Sequence, residues 1–110
     1  MVHLSLTLGV PPGLTREVSD ALRALARRAR RDSGCAASDV YASVEDQSRL
    51  VLHEQWTGED DLARYIRSDD FTQVLTLIEM ASHPPVLEFQ IAGETRGLDY
   101  VAEVRGRQTR

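Results

Sequence analysis

Apolar and polar residues alternate strictly at the start of the chain. Val2, Leu4, Leu6 and Leu8 share one side, and His3, Ser5 and Thr7 share the other. A period of two predicts a strand with one apolar face. Gly9-Val10-Pro11-Pro12-Gly13 ends it, because two prolines cannot continue a hydrogen-bonded ladder. The period then lengthens: Leu14, Val18, Ala21, Leu22, Leu25 and Ala29 form one stripe, which predicts a helix from about Leu14 to Asp32 with Gly34 as its stop. Alternation returns over Ser38–Val44, with Val40, Ala42 and Val44 on one side. After a Glu45-Asp46-Gln47-Ser48 loop it returns again over Arg49–Trp56. In that last strand Leu50, Leu52, Glu54 and Trp56 share a face, so a carboxylate interrupts an otherwise apolar row.

Thr57-Gly58-Glu59-Asp60 predicts a helix start with Thr57 as the cap, and a short helix near Glu59–Arg67. Ser68-Asp69-Asp70 starts a second helix, whose stripe is Phe71, Val74, Leu75, Ile78 and Ala81, and Ser82-His83-Pro84-Pro85 ends it. Val86–Ile91 is a fourth strand, with Leu87, Phe89 and Ile91 on one side. Beyond Gly93, Leu98, Val101 and Val104 recur at helical or loosely paired spacing. The order β-α-β-β-α-β predicts an α+β, ferredoxin-like sandwich over residues 1–92, with a C-terminal tail over 93–110. Helices can cover only one face of such a sheet. The other carries His3, Ser5, Thr7, Tyr41, Ser43, Val51, His53, Gln55, Glu88 and Gln90, a mixed face of the kind that meets a second sheet. A homodimer through this sheet face is therefore expected, with the tail packing on the partner.

Composition narrows the setting. The chain of 110 residues, 42% hydrophobic and 27% charged, suits one folded domain. A net charge of −4 gives no general affinity for nucleic acid or anionic lipid, and no apolar run reaches the roughly 20 residues of a membrane helix. One cysteine, Cys35, and no segment resembling a secretory signal predict a reducing, cytoplasmic location. RNA binding on this topology would need exposed aromatic and basic residues on the sheet, where Tyr41 is the only aromatic and Glu88 opposes it. The crowd of Arg27, Arg28, Arg30 and Arg31 reads as a solvated helix end.

Familiar catalytic motifs are absent, and His3, His53 and His83 are too scattered for a metal site. One constellation remains. Glu54 and Trp56 face the space between sheet and helices. Tyr65 and Phe71 can close that space, with Leu6, Leu8, Ala42, Leu75, Ile78 and Phe89 lining it. Such a pocket suits a small aromatic ligand. A carboxylate buried there has a raised pKa and can take a proton from a phenol or quinol. The other reading is a glutamate satisfied by backbone or by Tyr65, with Trp56 as plain core; the general pairing of buried polar groups favours it.

Arg31-Asp32-Ser33-Gly34-Cys35 leading to Tyr41, then Glu45-Asp46, Leu50-Val51-Leu52-His53-Glu54-Gln55-Trp56 and Tyr65-Ile66-Arg67-Ser68-Asp69-Asp70-Phe71, together resemble the antibiotic biosynthesis monooxygenase (ABM) domain. The resemblance spans about residues 2–92 and lies in the order and spacing of these pieces. It implies a dimeric α+β barrel and an enzyme that adds oxygen to quinols or polycyclic phenols with no metal, flavin or haem. In that chemistry the deprotonated substrate itself reduces oxygen. Glu54 and Trp56 stand at the E-x-W positions and carry over on that basis; with Tyr65 from the reading of the residues themselves, the expected catalytic pair is Glu54 and Tyr65. The chain departs from the family where many members have histidine at the positions of Tyr65 and Asp70, and an aromatic residue at that of Ser38. The inward Trp and His of haem-degrading relatives are replaced here by Tyr65 and Leu75.

Overall fold

The computed structural model describes residues 1–107. Its elements are β1 (Val2–Gly9), α1 (Thr15–Ala29), β2 (Cys35–Ala42), β3 (Arg49–Trp56), α2 (Glu59–Ile66), α3 (Asp69–Glu79), β4 (Val86–Ile91), β5 (Glu94–Arg96) and α4 (Leu98–Arg107). The strands form one antiparallel sheet in the order β2-β3-β1-β4-β5. With the helices this is the expected ferredoxin-like α+β architecture, extended by one strand and one helix.

Alternation along each strand turns the apolar set toward the helices. Val2, Leu4, Leu6 and Leu8 of β1, Leu50, Leu52 and Trp56 of β3, and Leu87, Phe89 and Ile91 of β4 are all buried. They pack against Val18, Leu22 and Leu25 of α1, Leu62 and Ile66 of α2, and Phe71 and Val74 of α3 in a single core. At roughly 1.5–3 kcal/mol for each large apolar side chain, this burial is the main stabilising force. The opposite face, with His3, Ser5, Thr7, Val51, His53, Gln55, Glu88 and Gln90, stays half-buried or exposed.

Local chemistry sets the element ends. Ser68 caps α3, its hydroxyl accepting from Phe71 N at 3.2 Å, and Asp69 and Asp70 stand in the first turn, where negative charge is favoured. At α2 the cap residue is Gly58 instead of Thr57; the Thr57 hydroxyl donates to Asp61 at 2.6 Å. The helix α1 stops three residues before Asp32, and a turn through Gly34 leads into β2. Here β2 begins earlier than alternation predicts, because a bulge between Cys35 and Ala37 breaks the period. It also ends earlier, at Ala42, leaving Val44 fully exposed.

Ala92 and Gly93, with φ of 52° and 83°, make a tight turn that folds β5 back onto β4, with Ile91 paired to Glu94. α4 then packs on the chain's own inner layer. Tyr100, Val101 and Val104 are buried, Tyr100 lies 5.2 Å from the Phe89 ring, and Arg105 Nε donates to Ile66 O at 3.0 Å. Residues 94–107 thus extend this domain's own sheet and inner layer, because their apolar stripe finds the uncovered end of the sheet nearby. Residues 108–110 of the expected tail lie outside the described residues.

Candidate active site

β3 carries Glu54 inward, as alternation requires, and the Glu54 side chain is fully buried. In the register Glu54 sits between Ser38 of β2 and Leu4 of β1, with Phe89 of β4 beyond Leu4. Three donors converge on the carboxylate. The Ser38 hydroxyl donates to Oε2 at 2.6 Å, the Tyr65 hydroxyl donates to Oε2 at 3.4 Å, and Trp56 Nε1 donates to Oε1 at 3.3 Å. No buried side-chain polar atom among the described residues lacks a partner.

Burial and hydrogen bonding oppose each other at this carboxyl. Removal from water raises its pKa above the usual carboxylate value; the bonds from Ser38, Trp56 and Tyr65 pull the other way without cancelling the rise. Tyr65 is driven well above an ordinary phenol by burial and then by the adjacent Glu54, so it holds its proton firmly. Burial and Glu54 also push the Cys35 thiol up to about 11, which keeps it out of the thiolate form.

The aromatic residues form a packed stack. Trp56 and Tyr65 lie face to face with centroids 4.6 Å apart, and Phe71 meets Tyr65 edge-on at 5.4 Å. Glu54 therefore sits one layer behind these rings, and Trp56, Tyr65 and Phe71 fill the space that the sequence suggested as a chamber. A groove of about 240 Å³ lies against Trp56 and Tyr65, lined also by Arg28, Ala29, Asp32, Arg64, Ser68 and Asp70. Its rim carries two ion pairs that join separate elements: Arg28 Nε to Asp70 Oδ1 at 3.0 Å, and Arg64 Nη2 to Asp32 Oδ1 at 2.7 Å.

The expected residues divide accordingly. Glu54, Trp56, Tyr65 and Phe71 come together, Phe89 stands in the same row across the sheet, and Leu6 is opposite Leu52, one inward step from Glu54. Leu8 does not join them: it pairs with Leu50, four residues further along β1 than Leu4, or about 13 Å away. Ala42 pairs with Leu50 at the same far end, is exposed, and lines a different, open groove with Thr15, Ser19 and Val44. Sharing a face is not sharing a position along the strand, and these two residues lie apart from the others for that reason. Leu75 and Ile78 are half-buried on α3 against the core. Ser38, Arg28, Asp32 and Arg64 are additions. The inward parity of Val40 and Ala42 already implied that Ser38 faces Glu54. The groove residues come from three helix ends and carry no local signal.

The sheet and helices define a ferredoxin-like α+β protein with an inward carboxylate bonded to Ser38, Trp56 and Tyr65. The sequence model of the antibiotic biosynthesis monooxygenase family matches residues 1–76, and the chain belongs to that family. No curated protein matches the sequence significantly. Among solved structures, a Deinococcus radiodurans protein described as a candidate antibiotic biosynthesis monooxygenase superposes with a TM-score of 0.76 at 18% identity, over 86% of this chain and 94% of its own. A conserved Methanosarcina mazei protein superposes with a TM-score of 0.74 at 23% identity, over 82% of this chain and 90% of its own. A candidate monooxygenase from Nitrosomonas europaea gives 0.72 at 19% identity, over 81% and 95%. At these identities the likeness is one of fold.

Proposed function

We propose that the protein is an ABM-type monooxygenase that lets a bound quinol-like or polyphenolic molecule react with oxygen without a protein-bound cofactor. The observation that carries this reading is the position of Tyr65, which lines the solvent groove and also donates a hydrogen bond to the buried Glu54. A substrate hydroxyl in the groove can donate to the Tyr65 oxygen while Tyr65 passes its own proton to Glu54. Because burial disfavours a tyrosinate, the two transfers must be concerted. The raised pKa of Glu54 brings it closer to that of a phenol and makes the transfer less uphill.

The resulting phenolate is electron-rich enough to reduce oxygen. A quinol and O₂ give a hydroxyquinone and water. The O–O bond breaks, one oxygen atom joins the ring, and the other leaves as water with two substrate hydrogens. All four electrons come from the ring, so no external reductant is required. The proton held on Glu54 returns in the last step. The dry aromatic stack behind the groove would protect the phenolate from bulk water.

The uncovered sheet face supports a homodimer built face to face, and the single cysteine is compatible with a cytoplasmic setting. No helix among the described residues is long and apolar enough to cross a membrane. A second reading, a non-catalytic module that binds an aromatic metabolite, is favoured by the full set of donors already on Glu54 and by the filled interior. Oxygen uptake with a panel of reduced quinones separates the two. The enzyme reading expects turnover that falls by about 10²–10⁴-fold in Tyr65→Phe and Glu54→Gln. Binding without oxygen consumption favours the module, and unchanged turnover in Tyr65→Phe refutes the relay.

A further inference from the structure

The groove has its own chemistry at the mouth. Arg28 and Arg64 bring two positive charges there; Arg28 is held by Asp70, and Arg64 by both Asp32 and Asp61. With three carboxylates on two guanidiniums, no positive charge is left over. A ligand bearing a carboxylate or phosphate would have to take a guanidinium from its aspartate and leave that aspartate uncompensated. A ligand bearing only hydroxyl groups has both donors and acceptors waiting for it and displaces no charge. Both pairs are half-exposed, with side-chain exposures of 40% and 33% in one and 52% and 32% in the other, so they can shift to admit a neutral ring. Size is the second constraint. A groove of about 240 Å³ falls below the roughly 300–1,000 Å³ that hold a drug-sized ligand, and Trp56 and Tyr65 are among its lining.

We propose that this groove selects an uncharged hydroxylated aromatic of one or two rings, and that Asp32 and Asp70, together with Asp61, determine the choice by neutralising Arg64 and Arg28. The substrate class rests on the reading above, in which the groove leads to the Tyr65–Glu54 pair; the binding preference is measured separately from turnover. Aspartate-to-asparagine changes keep an acceptor oxygen at each site, including the one that Gly34 N uses on Asp32 at 2.8 Å, while removing the charge.

The single tryptophan, Trp56, lines the groove and serves as the reporter. Quenching of its emission is titrated in the intact protein, under nitrogen, with 1,4-naphthalenediol, with its 2-carboxylate analogue and with a four-ring hydroquinone. The wild type should bind the diol about tenfold more tightly than the carboxylate and should not bind the four-ring compound. In Asp32→Asn/Asp70→Asn the carboxylate should gain about tenfold relative to the diol. Asp70→Asn alone should move the ratio in the same direction and covers the case in which the double variant does not fold. Equal binding of diol and carboxylate by the wild type, an unmoved ratio in the variants, tight binding of the four-ring compound, or no binding of the diol overturns the proposal. Selective binding without oxygen uptake when air is admitted leaves it standing and refutes the oxygenase reading instead.

Discussion

Replacing Glu54 by glutamine should change how stability depends on pH. Glu54 is fully buried and its folded-state pKa lies above the ordinary 4.5. Below pH 4.5 the group is neutral in folded and unfolded chains alike, so it carries no ionisation penalty. As pH rises, the unfolded chain releases the proton first and the folded chain keeps it. Stability attributable to Glu54 is therefore lost with rising pH until the folded-state pKa is passed. The loss approaches about 1.4 kcal/mol per pH unit where the two states differ by one proton. Glutamine has no such titration, and the site can satisfy it: its oxygen can accept from Trp56 Nε1, and its amide can donate to the hydroxyls of Ser38 and Tyr65, which can act as acceptors. Urea unfolding of both proteins, followed by Trp56 emission at one fixed protein concentration, gives the difference in stability at each pH. Every other titrating group cancels in that difference. The wild type should lose ground to Glu54→Gln steadily above pH 4.5 and then level off. A flat difference, or one that favours the wild type more as pH rises, would refute the account of Glu54 as a desolvated carboxyl.

Three other outcomes test the frame around the site. Ser68→Ala removes the cap of α3, which supplies Phe71 and Asp70, and should lower stability by about 1 kcal/mol in the same urea assay. Gly34→Ala would place a methyl 2.5 Å from Asp61 Cγ, forcing apart the bonds from Thr57 and Arg64 to Asp61; a loss of about 1–3 kcal/mol is expected, and a neutral result would show the turn to be looser than described. Ser5→Glu, at the centre of the uncovered face beside His53 and Glu88, should convert a sedimenting dimer to monomer; a wild type that sediments as a monomer at every concentration would remove the proposed interface.

Periodicity made much of this molecule readable. The strict alternation in β1 and β3 is enough to turn Glu54 inward beneath the helices, and the stripe from Phe71 to Ile78 is enough to place α3. What escaped is where local rules are broken or carry too little length. The bulge at Cys35–Ala37 hides the start of β2, a three-residue β5 has too few positions to show alternation, and Ala92-Gly93 is a weaker turn signal than Asn-Gly. The destination of the tail depends on which part of the sheet remains uncovered, which no window of sequence states. The candidate site divides in the same way. Parity along strands brought Glu54, Trp56 and Phe89 to one face, but could not say that Leu8 and Ala42 lie at its other end. The groove depends on the meeting of three helix ends, and its charged rim was hidden within an ordinary basic helix terminus.

The placement of β1 has a consequence for biosynthesis. It lies in the middle of the sheet, yet its two neighbours, β3 and β4, begin at Arg49 and Val86. During translation the central strand leaves the ribosome before either of them, and it waits, with both hydrogen-bonding edges vacant, for partners made much later. An early α1 packed over it would shield the apolar side of that nascent strand. Truncated products ending before Val86 would keep one open edge and should be the species most prone to aggregate or to engage chaperones.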